Sequence, residues 1–141
     1  MKLISILAAL ALATPTFAHD FGFAGILSNN NKEDLEPLTL SVGKPIAEAP
    51  LMLKSGTAYE IEIEADGTGE LALEGAGFFR AIWINEIVIN GLEIRPLGID
   101  SVEFDEAGTM EIEFIAIKPG TYELRQPGST GEGQRVQIVI Q

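Results

Sequence analysis

The side chains that hold soft metals or break bonds by nucleophilic attack are scarce in this chain. It has one histidine, His19, no cysteine, and three methionines, of which Met52 and Met110 lie beyond the N-terminal segment. Without a thiol there is no thiolate ligand, no disulfide and no cysteine nucleophile. A single histidine also removes the usual base of a hydrolase triad. What remains is oxygen chemistry. Glu60, Glu62 and Glu64 alternate along one segment, and Glu111 and Glu113 along another. Each set projects from one face if its segment is a strand. If those strands are neighbours, all of these carboxylates share a sheet face, where like charges in register repel. A hard cation such as Ca²⁺ or ferric iron relieves that repulsion through oxygen ligands. The alternative is a solvated, aggregation-resistant surface. Asp100, Glu103, Asp105 and Glu106 form another acidic run, whose spacing does not match an EF-hand loop and reads as a loop rim.

His19 gains interest from what precedes it. Met1-Lys2 is a short positive start, Leu3 to Ala13 is apolar apart from Ser5, and Thr14-Pro15-Thr16-Phe17-Ala18 supplies a turn and small residues. This is the pattern of a secretory signal cleaved after Ala18. The apolar run is too short to anchor the chain in a bilayer, so no membrane anchor is expected after cleavage. Export of a chain without cysteine fits a bacterial periplasm or exterior. Cleavage would leave His19 as the first residue, with its α-amine and imidazole free to chelate Cu(II). A histidine brace needs a second histidine, which the chain lacks, so Asp20 or another acid would have to complete the shell. The other reading of His19 is an exposed residue on a frayed arm. With no complete brace, an oxidase built on this terminus is the least favoured option, and the expectation is a protein that is not an enzyme. Met52 and Met110 could serve Cu(I) as thioethers. Both lie in or beside alternating apolar segments, which assigns them to the core.

The formal charge is −12. Such a surface repels nucleic acid and anionic lipid and attracts cations or a basic partner. No nucleic-acid partner is expected.

The elements that must position these groups are strands. Tyr59-Glu60-Ile61-Glu62-Ile63-Glu64-Ala65 and Met110-Glu111-Ile112-Glu113-Phe114 alternate with period two. Leu71 to Leu73, Ala81 to Ile89 and Val136 to Ile140 are further apolar or alternating runs. Turn signals separate them at Lys54-Ser55-Gly56, Asp66 to Gly69, Asn90-Gly91, Glu106-Ala107-Gly108 and Lys118-Pro119-Gly120. Asn90-Gly91 reads as a tight hairpin or a bulge. Short strands at this spacing predict an all-β Greek-key β-sandwich. Ile61, Ile63, Phe114, Tyr122, Ile138 and Ile140 are expected in its core, with Phe78 and Phe79 filling it and Trp83 between the sheets. The organisation read from the chain is a signal over 1–18, an N-terminal arm over 19–37 with a polar loop at Asn29 to Asp34, and one domain over 38–141.

Two segments resemble a known family. Phe79-Arg80-Ala81-Ile82-Trp83-Ile84-Asn85-Glu86 is similar to the cupredoxin and cytochrome oxidase subunit II strand that begins with a ligand histidine, and Arg80 takes the histidine's place. Lys118-Pro119-Gly120-Thr121-Tyr122 through Gln134 resembles the closing hairpin of blue-copper proteins. Counted from Tyr122, the cysteine, histidine and methionine positions are Gln126, Ser129 and Gln134, and Gly131 and Gly133 match glycines of that loop. The resemblance implies a cupredoxin-like fold over roughly Leu51 to Gln141 in which every type 1 copper position holds a non-ligand. Blue copper needs a thiolate, so the composition excludes it. Glu86-Ile87-Val88-Ile89-Asn90-Gly91 and Pro119-Gly120-Thr121-Tyr122 are also similar to the cupredoxin-like domain of periplasmic iron-uptake proteins, which implies metal handling and makes Glu86 a candidate contact.

The expectation is thus an exported, periplasmic cupredoxin-like accessory protein that binds or traffics copper or iron, with His19 and Glu86 as metal contacts and no type 1 copper. The rival is a metal-free module that binds a protein or a small anion at Arg80. Arg80 is expected beside Gln126, Ser129 and Gln134, where the four form either a polar network or a site whose guanidinium forks onto carboxylates.

Overall fold

The computed structural model describes residues 22–141. Short strands carry about half of it, joined by turns and loops. β1 (Lys32–Asp34), β2 (Leu38–Leu40) and β3 (Leu51–Leu53) lead into the long β4 (Ala58–Ala65) and β5 (Leu71–Glu74). A single helical turn, α1 (Ala76–Phe79), precedes β6 (Ile82–Ile89) and β7 (Leu92–Ile94). β8 (Ser101–Phe104), β9 (Gly108–Ala116), β10 (Gly120–Arg125) and β11 (Arg135–Ile140) complete the chain. One sheet runs β1-β4-β9-β6-β7, with β2 also on β4, and the other runs β3-β11-β10-β5-β8. Successive strands cross between the two, from β4 to β5, β5 to β6, β7 to β8 and β9 to β10, which is the Greek-key route around a sandwich. Among the described residues no helix is long and apolar enough to cross a membrane.

Alternation explains the core. Ile61 and Ile63 on β4 point inward with Ile112 and Phe114 on β9, and meet Leu124, Val136, Ile138 and Ile140 from the facing sheet, all buried. Phe78 and Phe79 are buried as expected, and Phe78 meets Phe114 edge-on at 5.6 Å. Tyr122 is half-buried against this cluster and donates its hydroxyl hydrogen to the Lys118 carbonyl at 2.9 Å. Asn90 and Gly91, at φ 50° and 77°, form the two-residue turn between β6 and β7. Those positive angles at both central positions are what a tight hairpin turn needs and what Asn-Gly supplies.

Three expectations are corrected. Trp83 does not lie between the sheets but is 48% exposed. The β6–β9 ladder slips at Asn85, where Ile84 pairs with Phe114 and the next pair is Glu86 with Glu113. This bulge lets Ile84 and Ile87 both face the core, three apart, and turns Trp83 and Glu86 outward. Met110 is buried but Met52 is 57% exposed, because Leu51 and Leu53 take the inward positions of the short β3. Lastly, the polar stretch at Asn29 to Asp34 is not a loose arm. The buried Asn31 amide donates to the Ile26 and Gly56 carbonyls at 2.7 and 3.0 Å, and Lys32 to Asp34 join the sheet parallel to Ala58 to Glu60.

Candidate functional site

The hairpin between β10 and β11 closes on the three loop positions that the resemblance singled out. The Gln126 amide donates to the Gln134 carbonyl at 2.9 Å, the Gln134 side-chain amide donates to Gln126 Oε1 at 3.3 Å, and the Ser129 hydroxyl donates to the Gln126 carbonyl at 2.6 Å. The three therefore form a polar network, as expected, with no metal ligand among them. Around it stand charges that sequence reasoning passed over. Arg125 pairs with Glu123 at 2.7 Å and donates to the Ser129 carbonyl at 2.6 Å, while Arg135 bridges Glu123 at 3.2 Å and Glu132 at 2.7 Å. Hydrogen bonds from Arg125, and then from Arg135, hold the Glu123 carboxyl below its ordinary range. Lys44 lines an open pocket of about 330 Å³ beside Gln126 and Gln134. A cation approaching this end meets Arg125, Arg135 and Lys44, and the carboxylates there, Glu123 and Glu132, are already paired with the two arginines. Glu123-x-Arg125 and Glu132-x-x-Arg135 were readable signals of this network, since both pairs are local.

Arg80 is not part of it. It follows α1 rather than opening a strand, and its neighbour Ala81 accepts hydrogen bonds from the amides of Ile117 and Lys118, at the turn that begins β10. Gln126 follows the last residue of β10. Among the described residues Arg80 shares no hydrogen bond or ion pair with Gln126, Ser129 or Gln134. Arg80 instead reaches Asp100 at 3.8 Å, and both side chains are exposed. The expected grouping of Arg80 with Gln126, Ser129 and Gln134 is corrected on this ground: α1 inserts a helical turn where the resemblance assumed continuous strand, so its spacing along β6 does not carry over.

The carboxylates do converge. β4 and β9 are antiparallel neighbours, with Glu60 opposite Glu113 and Glu62 opposite Glu111. The Asn85 bulge brings Glu86 opposite Glu113 on the other side, so that Glu60, Glu113 and Glu86 form a row across three strands. Two cations answer it. Lys32 bridges Glu60 and Glu113, the latter at 3.0 Å, and Arg95 reaches Glu86 at 2.9 Å. The Asn85 amide donates to the remaining oxygen of Glu113 at 2.8 Å. Burial pulls the Lys32 pKa down, but the hydrogen bonds to Glu60 and Glu113 outweigh it and hold it above the ordinary lysine value. The next row has no such ion pair among the described residues. Hydrogen bonding with Glu64, lost solvation and the charges of Glu64, Glu111 and Glu60 push the Glu62 carboxyl up, and lost solvation followed by the charge of Glu60 does the same to Glu111. No three of the His, Cys, Asp and Glu side chains among the described residues are grouped so as to hold a metal ion. Lys32 and Arg95 were not legible as partners of this face, because each meets its glutamates only through strand pairing. His19 and the expected signal segment lie outside the described residues.

No family model and no curated protein sequence matches the chain. Solved structures do. A multicopper oxidase from Pseudomonas thermotolerans aligns with a TM-score of 0.55 at 16% identity, covering 79% of this chain and 30% of that one. Copper nitrite reductase from Nitrosomonas europaea aligns with a TM-score of 0.52 at 17% identity, covering 67% of this chain and 33% of that one. The chain thus spans about a third of the length of these proteins. The expectation of a protein that is not an enzyme is corrected here: the solved structures with this fold are an oxidase and a reductase, so the fold and its missing brace are no ground for excluding catalysis. Two sheets in Greek-key order, a Pro-Gly-x-Tyr strand leading into a ligand-free closing loop, no cysteine anywhere in the chain, and these alignments together make the protein a cupredoxin-like β-sandwich without the type 1 copper ligands.

Proposed function

We propose that the chain is an exported, periplasmic protein that binds or traffics a metal ion, copper or iron, through contacts away from the closing loop. The observation that carries this reading is the carboxylate face of β4, β9 and β6: rows of glutamates in direct register, of which Glu62 and Glu111 form no ion pair among the described residues while Glu86 and Glu113 stand beside them. The face offers oxygen donors of the kind ferric iron takes, spread along the rows rather than gathered in a ready-made site among the described residues. His19, exposed as the first residue by cleavage after Ala18, suits Cu(II) through its amine and imidazole nitrogens. Copper proteins of the same fold support a copper-related role at a coarse level.

Calorimetry of the exported protein with Cu(II) and with Fe(III) tests this. Stoichiometric uptake is expected. Its loss on His19→Ala assigns the copper to the N-terminus, and loss of iron on Glu86→Gln with Glu111→Gln assigns that metal to the sheet face. No binding tighter than about 10 μM for either ion sinks the reading. Intact mass of the exported protein checks that His19 is its first residue. A second reading rests on Arg80, whose guanidinium is open to solvent and, among the described residues, held only by the long pair to Asp100. It is a binding point for a carboxylate of a protein or small anion, and loss of a captured partner on Arg80→Ala, with metal irrelevant, would favour it.

A further inference from the structure

β7 ends its sheet, and among the described residues no strand pairs with its outer edge. Leu92, Ile94 and Leu97 are exposed there, as is Ile89 on the strand behind, with Leu97 fully in solvent. Edge strands with apolar side chains are templates for pairing. The edge Leu92-Glu93-Ile94-Arg95-Pro96 is complementary to itself when reversed. In an antiparallel pairing of two copies centred on Ile94, Glu93 of each copy faces Arg95 of the other, and Leu92 faces Pro96.

The backbone agrees with that register. The two-residue Asn90-Gly91 turn joins Ile89 and Leu92, which are partners across β6 and β7. A turn of this length closes on a hydrogen-bonded pair, and such pairs alternate along an antiparallel ladder. Leu92 and Ile94 therefore spend their amides and carbonyls on β6, while those of Glu93 point outward, and extension of the strand by one residue past Ile94 on pairing would turn those of Arg95 outward too. These are the residues that exchange hydrogen bonds when Ile94 lies on the two-fold axis. Pro96, which has no N–H to give, falls at a position that does not need one. The side chains sort likewise: Leu92, Ile94 and Pro96 share one face, and Glu93 and Arg95 the other, where Arg95 already lies 3.2 Å from its own Glu93.

We propose that β7 is a homodimer interface, in which two copies of this chain pair antiparallel about Ile94 with reciprocal Glu93–Arg95 ion pairs. The proposal does not rest on the metal reading, although the two meet at Arg95, which also pairs with Glu86. It is tested on the exported protein by light scattering behind size exclusion across a concentration series. The wild type is expected to run at twice the chain mass. Glu93→Arg and Arg95→Glu each place like charges opposite one another and are expected to run as monomers. Mixed in equal amounts, the first variant brings a positive side chain at both positions and the second a negative one at both, so opposite charges meet again and a heterodimer is expected. Because the chain has no cysteine, Ile94→Cys adds a single thiol on the axis, and mild oxidation is expected to cross-link it nearly completely while Met52→Cys stays monomeric. A monomeric wild type at several hundred micromolar, dimeric single variants, a mixture that stays monomeric, or equal cross-linking at positions 52 and 94 would each overturn the proposal.

Discussion

Glu60 and Glu113 stand directly opposite each other on β4 and β9 and share a single ammonium, that of Lys32. Lys32 comes from a strand that joins the sheet parallel, on the far side of β4. The three side chains are each less than a third exposed, so the pairing is shielded enough from solvent to matter. Replacing Lys32 with methionine leaves two carboxylates face to face with no cation between them. The expected cost is about 1.5–3 kcal/mol, the range for hydrogen bonds to charged groups. Urea unfolding of the two proteins at pH 7 measures it. Because the folded-state pKa of Lys32 is raised, its contribution is full below the ordinary lysine value and is lost only as pH climbs through the raised one.

Glu62 and Glu111 lie on the same face with the opposite sign. Their pKa values are raised, Glu62 chiefly by hydrogen bonding with Glu64 and Glu111 chiefly by lost solvation. The folded state then holds these protons more tightly than the unfolded chain, and stability falls as pH rises through the raised values. Glu111→Gln and Glu62→Gln are expected to raise the melting temperature at pH 7 and to leave it nearly unchanged at pH 3, as thermal unfolding at the two pH values would show.

Asp66 behaves conversely. Hydrogen bonds from Ser41 and then Thr68 push its carboxyl down to about 2. Its contribution is present above the ordinary aspartate value and is lost as pH falls through that value toward about 2. Asp66→Asn is expected to lower the melting temperature at pH 7, with the difference from wild type shrinking in a series taken down to pH 2.

Asn31 joins the Ile26 and Gly56 carbonyls through one side-chain amide, itself buried. Asn31→Ala removes both hydrogen bonds at once. A loss of about 1–3 kcal/mol is expected for leaving such buried acceptors unmet. The midpoint of guanidinium unfolding reads it.

The placement of Arg80 can be checked with copper itself. Gln126→Cys with Ser129→His and Gln134→Met installs a thiolate, an imidazole and a thioether in the closing loop, and such a set binds copper. Adding Arg80→His is expected to change neither the affinity nor the thiolate-to-copper absorption, because Arg80 pairs with Asp100 and with none of the three loop side chains. A marked change in that absorption would return Arg80 to the loop.

Much of the fold was legible because it is written in short-range pattern. Strict alternation along Tyr59 to Ala65 and Met110 to Phe114 sorted Ile61, Ile63, Ile112 and Phe114 to the core without knowledge of their partners. Asn90-Gly91 announced its hairpin through the one backbone conformation those residues favour together. The lack of cysteine excluded a thiolate centre on composition alone. Short strands flanked by polar residues carried too little pattern, and β1, β2, β3, β7 and β8 escaped for that reason.

The sequence by itself therefore determined a two-sheet sandwich, its central core and the absence of a type 1 copper set, since alternation and composition are properties of the chain. Only the tertiary structure decided which charged groups meet. One unpaired residue at Asn85 reversed the faces of β6, sending Trp83 outward and aligning Glu86 with Glu113. One turn of α1 set Arg80 against Asp100 instead of the closing-loop side chains. Register and strand order depend on residues far apart in sequence, and a single inserted residue inverts every side chain beyond it.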